Sequence, residues 1–430
     1  MAISRGEKKL LAVCALALAI PLVVAAFFGH INQTPVIPIP AYPRAPQPNG
    51  YDLYVAAANS IKAVVPSAGV ATDTQEVTDP EVAAQRYSLA RKNAWLAKNQ
   101  AGFAFFDRAL TLPALAPPDR TIGRGSGARG ALRELARNKL TQSDAFWMRG
   151  DANGALQSGL DIVQMGHQIR RGGLLDNLVG IAVGTMGRAT NHQTVEQLDA
   201  AQALRAAHRL EKMLATRWSL AQALTEDKYG LQSIWLQAFR AQGWRSDVAN
   251  GSPNPAWNEI PLIYITSKQK IIDDTGAVLD RQIVRARLPY LQQTLPPLDL
   301  GDPFVKDYQR WGARARFINA RDLAGDQLLM LRLALRAHRV QNGFYPQDLN
   351  ALTPNFLTSI PADPFGAGEP WRYQLNGKNY ELWSIGPDGK DDAGTPISWQ
   401  RSPRLRLGER SRLPAAMPDS TGDIVAGKNN

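Results

Sequence analysis

The sequence predicts a mainly α-helical protein in three parts: an N-terminal membrane helix, a multi-helix antiparallel domain, and a small C-terminal α+β module with a β-hairpin. An uncharged apolar run near the N-terminus indicates the first part. Apolar residues that recur every three or four positions indicate the second, and two alternating segments around an Asn-Gly pair indicate the third. The 430 residues are enough for two or three domains that each bury a core.

Residues 10–28 are predicted to form a transmembrane anchor. This run of 19 residues carries no charge and reaches about 28 Å as a helix, which is enough to cross a hydrocarbon core. The preceding residues 1–9 include Arg5, Lys8 and Lys9. Because positive charge before a span keeps that end inside, we expect a single-pass protein with residues 1–9 as a cytoplasmic lead and the bulk extracytoplasmic. The lipid bilayer is therefore the first expected partner.

A cleaved signal peptide is the alternative interpretation of the same run. Val24, Ala25 and Ala26 supply the small residues of a cleavage site. However, the run is longer than a usual signal core and continues through Phe27 and Phe28. A retained anchor is favoured, and export after signal-peptide cleavage stays open.

The composition and the net charge limit the kinds of molecule that are expected to bind this protein. A hydrophobic fraction of 44% indicates a folded protein, and the net charge of +11 suits anionic lipid head groups, cell-wall polymers or nucleic acid. The basic residues are scattered except in 401–412, and residues 401–430 are predicted to be a disordered basic tail. No nucleic-acid partner is expected. The only cysteine, Cys14, lies in the apolar run, which excludes a disulfide framework and a thiolate metal site.

The segment that follows the anchor is predicted to be a spacer. Residues 29–50 contain six prolines, all between positions 35 and 48, and show no helical or strand period. Such a composition favours an extended, semi-rigid chain. We therefore expect this segment to hold the folded part away from the bilayer.

Residues 51–301 are predicted to form a helical domain. Apolar residues recur at steps of four and three, as in the stripe that begins at Leu156 and ends at His167. His167 is interpreted as a satisfied core residue because it lies on that stripe. The apolar stretch around Gly180 and Gly184 is too short to span a bilayer, so it is interpreted as a buried helix that the glycines allow to pack closely.

Residues 302–400 form the predicted C-terminal module. The apolar spacing predicts one long helix from Phe304 to Gln341, and Asn342-Gly343 ends it because both residues accept a left-handed conformation. The pair Asn376-Gly377 lies between two segments of period-two alternation, which predicts a β-hairpin.

Four short motifs follow in this module. They are Gly343-Phe-Tyr-Pro346, Asp363-Pro-Phe-Gly366, Tyr373, and Ser384-Ile-Gly-Pro-Asp-Gly-Lys-Asp-Asp392, and Leu349 and Leu352 lie between the first two. In their order they resemble the globular region of the major pseudopilins of type II secretion systems, over about residues 328–394. The resemblance implies a long helix packed on a small antiparallel sheet. It also implies an acidic loop that binds calcium.

This chain departs from the resembling family in its membrane segment. In the family the membrane helix runs directly into the globular domain, whereas here residues 10–28 lie far upstream of the long helix. The stretch 320–339 carries several charged residues, so it is not a membrane span. A fibre subunit is therefore not expected, since a shared fold does not transfer function.

The acidic loop supplies the one candidate ligand site. Asp388, Asp391 and Asp392 are the candidate calcium ligands, because calcium binds several oxygens and a turn with clustered carboxylates and backbone carbonyls supplies them. The same residues are also typical of an ordinary exposed turn. No catalytic constellation is recognised, and no other cofactor is expected.

Three functions stay open at this point. The leading hypothesis is a non-enzymatic, membrane-anchored envelope protein with a structural or interaction role, whose helical faces bind another envelope protein. One alternative is an envelope enzyme whose catalytic groups meet only in the folded helical domain. The other is an accessory component of a secretion system, with a secretion-system protein as partner.

Overall fold

The computed structural model describes residues 5–61, 88–121, 127–189, 194–246, 262–292, 303–397 and 417–428. In this part of the chain the helices are α1 Arg5–Asn32, α2 Gly50–Ser60, α3 Leu89–Lys98, α4 Gln100–Leu110, α5 Ala128–Met148, α6 Ala152–Ile169, α7 Leu174–Ala189, α8 Ala200–Ala215, α9 Leu220–Ala238, α10 Leu262–Ile265, α11 Lys268–Ala286 and α12 Pro303–Asn342. The strands are β1 Arg372–Asn376, β2 Asn379–Ser384 and β3 Ile424–Val425. The protein is thus mainly helical with a small antiparallel sheet, as the sequence predicts at that level.

Helix α1 contains the predicted apolar segment. Its stretch Cys14–Asn32 has a mean hydropathy of 2.3, and only 6% of the window is buried within the protein. Side chains such as Leu22 and Phe28 are accordingly exposed. By length and composition, this helix fits either a membrane span or a signal sequence.

The proline-rich segment after α1 is extended, but it lies along the helical domain. The Tyr42 hydroxyl donates to the carbonyl of Ala116 at 2.7 Å, and the Arg120 guanidinium donates to the carbonyl of Pro40. Ile37 packs against a small aromatic cluster of the domain. The expected spacer, residues 29–50, is therefore fixed to the folded part and does not hold it away from α1.

Helices α6 and α7 pack unusually closely. A Cβ atom placed on Gly166 of α6 would lie 2.6 Å from the carbonyl oxygen of Gly180 in α7, and 2.7 Å from the backbone nitrogen of Gly184. Only glycine fits at such a distance, because any side chain would clash with backbone atoms. The predicted close packing of this buried helix through Gly180 and Gly184 is confirmed.

One hydrophobic core joins the two segments predicted to be separate domains. Its buried members come from α6, α8, α12 and the sheet, and they include Leu160, Leu210, Leu331 and Leu382. Helix α12 packs mainly against α8 and also contacts α7 and α11. The predicted boundary at 301/302 is thus not a boundary between two cores.

The long helix and the hairpin agree with the sequence pattern. Helix α12 ends at Asn342, and Gly343 follows with a φ of +86° while its N–H donates to the carbonyl of Arg339. In the hairpin, Asn376 pairs with Asn379, which leaves Gly377 in the two-residue loop with a φ of +61°. Glycine adopts both conformations at little steric cost.

The third strand comes from a segment predicted to be disordered. In β3, Ile424 pairs with Ser384 and Val425 pairs with Trp383, so β3 lies antiparallel to β2. Both strand residues are 1% exposed. The prediction of a disordered tail over 401–430 is therefore wrong for this part. The arginine-rich stretch of the tail lies outside the described residues.

Truncation of the Ile424 side chain tests the role of this strand. Because Ile424 is buried in the main core, we expect Ile424→Ala to lower the free energy of unfolding by about 2–5 kcal/mol. Urea denaturation of the full-length protein in detergent measures the change. Val36→Ala is the matched control, since Val36 is 97% exposed and its truncation should be nearly neutral. If both variants lower the free energy of unfolding by the same small amount, Ile424 does not contribute to the core, and the prediction of a disordered tail would hold for this part as well.

Candidate functional site

Two buried acidic residues of α12 define the candidate site. Asp322 and Asp326 are four residues apart, so they lie on the same face of the helix, and they are 2% and 0% exposed. A carboxylate removed from water is costly unless charged or hydrogen-bonding partners surround it. The face of α12 that carries them points toward α6 and α7, which supply those partners.

Asp322 is held by three arginines. Its Oδ2 accepts hydrogen bonds from Nη1 of Arg170 at 2.9 Å and from Nη2 of Arg217 at 3.1 Å. Its Oδ1 lies 3.0 Å from Nη2 of Arg188. Burial alone would raise the pKa of Asp322, but Arg170, Arg188 and Arg217 together hold it well below its ordinary value. Asp322 is therefore a buried carboxylate ion.

Asp326 is shared by one arginine and one histidine. Nη1 of Arg188 donates to Oδ1 of Asp326, and Nε2 of His167 lies 2.9 Å from Oδ2. Burial is the largest single influence and opposes the charged form, yet Arg188 and His167 together lower the pKa of Asp326. Arg188 thus bridges the two carboxylates.

His167 is neutral in this setting. Burial and then the nearby Arg170 lower its pKa below the ordinary value of 6.5. Within the described part of the chain its Nδ1 has no hydrogen-bond partner. A neutral ring with its proton on Nε2 satisfies Asp326, whereas a proton on Nδ1 would bury an unpaired donor. The prediction of a satisfied core residue is confirmed for the burial of His167 and for Nε2, which bonds Asp326, but not for Nδ1.

These six residues form what we call the buried ion network: His167, Arg170, Arg188, Arg217, Asp322 and Asp326. Three guanidinium groups face two carboxylates, so the network carries one excess positive charge. Arg217 lies at its edge, where its side chain is 12% exposed. The network joins the C-terminal end of α6, helix α7, the turn between α8 and α9, and α12. Chemically, it can fix these elements relative to each other.

A second group of charges surrounds Arg129 on α5. Its Nε donates to Asp176 at 2.8 Å, and its Nη2 donates to Asp119 at 3.0 Å. Nearby, Oδ1 of Asp227 accepts the backbone N–H of Leu174, and burial raises the pKa of Asp227 to about 6. Asp176 and Asp227 therefore hold the first turn of α7, where the helix dipole favours negative charge.

Donors of the protein bind both carboxylate oxygens of Asp391 and one of Asp388 among the predicted calcium ligands. Oδ2 of Asp391 accepts from Nε of Arg372 at 2.9 Å, and its Oδ1 accepts from the indole N–H of Trp383 at 3.0 Å. Oδ1 of Asp388 accepts the backbone N–H of Lys390. The indole of Trp383 is the main cause of the lowered pKa of Asp391.

The loop also lies next to β3. The carboxylate of Asp423 accepts the backbone N–H groups of Asp392 and Gly394. Over the described residues, no group of three or more acidic, histidine or cysteine side chains is close enough to hold a metal ion. Calcium binding by Asp388, Asp391 and Asp392 stays a prediction, and backbone carbonyls would have to supply part of the site.

A surface cleft of about 260 Å³ lies at the start of α9. Its walls include Trp218, Gln222, Glu226 and Arg287. The carboxylate among them, Glu226, already accepts from Nη2 of Arg120 at 2.8 Å. The surface of the cleft is therefore mainly apolar, and its lining residues include no pair of acid and base groups free of other partners.

Comparisons with known proteins add no relative. No protein-family model, no curated protein and no solved structure matches the chain. Function is therefore inferred from the residues and their geometry.

Removal of one charge tests the importance of the buried ion network. We expect Asp322→Asn to lower the free energy of unfolding by about 3–5 kcal/mol, because the guanidinium groups of Arg170 and Arg217 then lose the carboxylate that pairs with them, while Arg188 keeps Asp326. Asp280→Asn is the matched control. Asp280 is 58% exposed and pairs with Lys228, so its loss should cost no more than about 1 kcal/mol. Urea midpoints of both variants give the comparison, and similar shifts would contradict the structural role.

Proposed function

We propose that the protein is a single-pass, membrane-anchored protein of the cell envelope with a structural or interaction role. Residues 1–9 would be cytoplasmic and the domain that follows α1 extracytoplasmic. The observation that carries this proposal is the apolar surface of α1 over residues 14–30, which is exposed throughout and which the described parts of the chain leave uncovered. Such a surface is stable in a bilayer but not in water.

The position of the ionisable groups supports a non-enzymatic role. The place where carboxylates, arginines and a histidine converge is the buried ion network, and there Asp322 and Asp326 are closed off from solvent. A catalytic acid or base has to come within hydrogen-bond reach of a substrate. Groups that are buried and paired with each other serve a structural purpose more readily.

Contacts among the four motifs support the pseudopilin-like interpretation of the C-terminal module. The Tyr373 hydroxyl donates to the carbonyl of Pro346 at 2.8 Å. Asp363 accepts from the hydroxyl of Ser384 at 2.7 Å and from the backbone N–H of Ile385. The motifs that carry the resemblance therefore bind one another and connect the turn after α12 to the sheet.

The same contacts favour a second candidate function, an accessory component of a secretion system. Photocrosslinking in cells from Phe344, which is 61% exposed on the module, distinguishes this candidate. Adducts with secretion-system proteins would support it, and their absence under conditions that crosslink other partners would count against it.

Cysteine labelling tests the membrane topology. In a Cys14→Ser background, we expect Val36→Cys to react with a membrane-impermeant maleimide in bacterial cells with a permeabilised outer membrane. Val36 is 97% exposed and follows α1, whereas Ser4→Cys should react only after lysis. Loss of the Ser4→Cys label from the mature protein would show cleavage and contradict a retained anchor.

Thermal melting of the full-length protein in detergent tests calcium binding. We expect millimolar calcium to raise the melting temperature, because a ligand that binds only the folded state stabilises it. Asp388→Ala should abolish the rise. It should disturb the fold little, since the Asp388 carboxylate accepts the backbone N–H of Lys390 within the same turn. Asp419→Ala, at an exposed position, should leave the rise intact. If calcium does not raise the melting temperature of the unmodified protein, the loop does not bind calcium.

A further inference from the structure

We propose that the helical domain lies directly on the bilayer surface from which α1 emerges, an inference that rests on the membrane anchorage proposed above. Its docking surface, here called the juxtamembrane surface, consists of Arg240, Arg245, Tyr264 and Ile265. The partner is the layer of anionic phospholipid head groups around the end of α1.

One guanidinium group connects the end of α1 to this surface. Nη2 of Arg245 donates to the carbonyl of Ile31 at 3.2 Å and lies 3.3 Å from Oδ1 of Asn32. Nη1 of the same side chain donates to the carbonyl of Thr266 at 2.9 Å. Because a guanidinium is small and planar, it holds the last turn of α1 close to the residue that follows Ile265.

The position of Phe28 and Ile31 along α1 gives the depth in a bilayer of the junction between α1 and Arg245. Phe28 is the last large apolar side chain of α1 that is exposed, at 48%, whereas Ile31 is 3% exposed against the domain. Three to four residues of helix separate Phe28 from the contact with Arg245, which is about 5–6 Å along the axis. The head-group region on each side of the hydrocarbon core has about this thickness. The junction therefore lies at head-group depth.

The side chains next to the junction suit that depth. Tyr264 and Ile265 are 40% and 55% exposed, although both are large and at least partly apolar. The Tyr264 hydroxyl is 2.9 Å from the hydroxyl of Ser246. A tyrosine with an exposed ring and a hydrogen-bonded hydroxyl is typical of the membrane interface, where an exposed isoleucine can also enter the lipid.

The charges around the junction favour anionic lipid. Arg240 is exposed and Arg245 is partly exposed, in the same short segment after α9. Helix α11 begins beside them. Its Lys268 is buried against the rings of Phe239 and Trp244, whereas Lys270 is exposed and pairs with Asp274. Asp273, the other acidic residue of that turn, accepts from a glutamine side chain. Arg240, Arg245 and Lys270 together exceed Asp273 and Asp274 by one positive charge, and this excess attracts anionic head groups.

Fluorescence quenching in vesicles tests this inference on the full-length protein. Ile265→Cys and Val340→Cys, each with Cys14→Ser, carry a small fluorophore, and the vesicles contain phosphatidylcholine, phosphatidylglycerol and a lipid with a nitroxide on its head group. Val340 is the matched control, an exposed aliphatic residue near the C-terminal end of α12. We expect the label at residue 265 to be quenched severalfold more than the label at residue 340. Without phosphatidylglycerol or at high salt, quenching should fall.

The native Cys14 separates this inference from the anchorage on which it depends. With the fluorophore on Cys14, a nitroxide on the acyl chain should quench strongly if α1 spans the bilayer. Strong quenching at residue 14, with equal and weak quenching at residues 265 and 340, would overturn the docking surface alone. Weak quenching at residue 14 would overturn the anchorage itself. Quenching at residue 265 that does not depend on phosphatidylglycerol would overturn the choice of anionic lipid.

Discussion

The arrangement of the helices depends on the burial of two carboxylates on α12. Apolar contacts tolerate small shifts between helices, whereas Asp322 and Asp326 need arginines at defined positions at the end of α6, on α7 and in the turn between α8 and α9. If α12 slid by one turn, a carboxylate would be buried without its guanidinium partner, which costs several kcal/mol. The buried ion network therefore sets the register of α12, and with it the position of the sheet that packs against its C-terminal half.

This register explains why the C-terminal module does not form a core separate from that of the helical domain. Helix α12 packs in two different surroundings. The acidic residues in its middle face α7, and Leu331 and Leu335 in its later turns lie in the core that it shares with the sheet. The chain then returns after the sheet and adds Ile424 to the same core. In the resembling family the long helix leads from a membrane anchor. Here α7, α8 and α11 of the same chain pack against the long helix.

The sequence predicted those features that depend on neighbours along the chain. The end of α12 and the hairpin follow from Gly343 and Gly377, whose conformations are local properties. The partners of Asp322 were not predictable in this way, because Arg170 is 152 residues away and an acidic pair spaced by four within an apolar stripe is the only hint. Strand β3 was missed for a related reason. Two buried residues in a segment rich in proline and arginine give no periodic signal, and only their pairing with β2 makes them a strand.

The same distinction between local composition and distant contacts applies to the proline-rich segment. Its composition correctly indicates an extended chain, but it does not reveal that Tyr42 and Pro40 bind the loop before α5. A free spacer would let the domain reorient relative to α1. A spacer that is bound along the domain, together with Arg245 on the last turn of α1, removes that freedom. We infer that the bilayer then fixes which faces of the domain point away from it, so that an envelope partner would meet a surface of constant orientation at a short distance from the membrane.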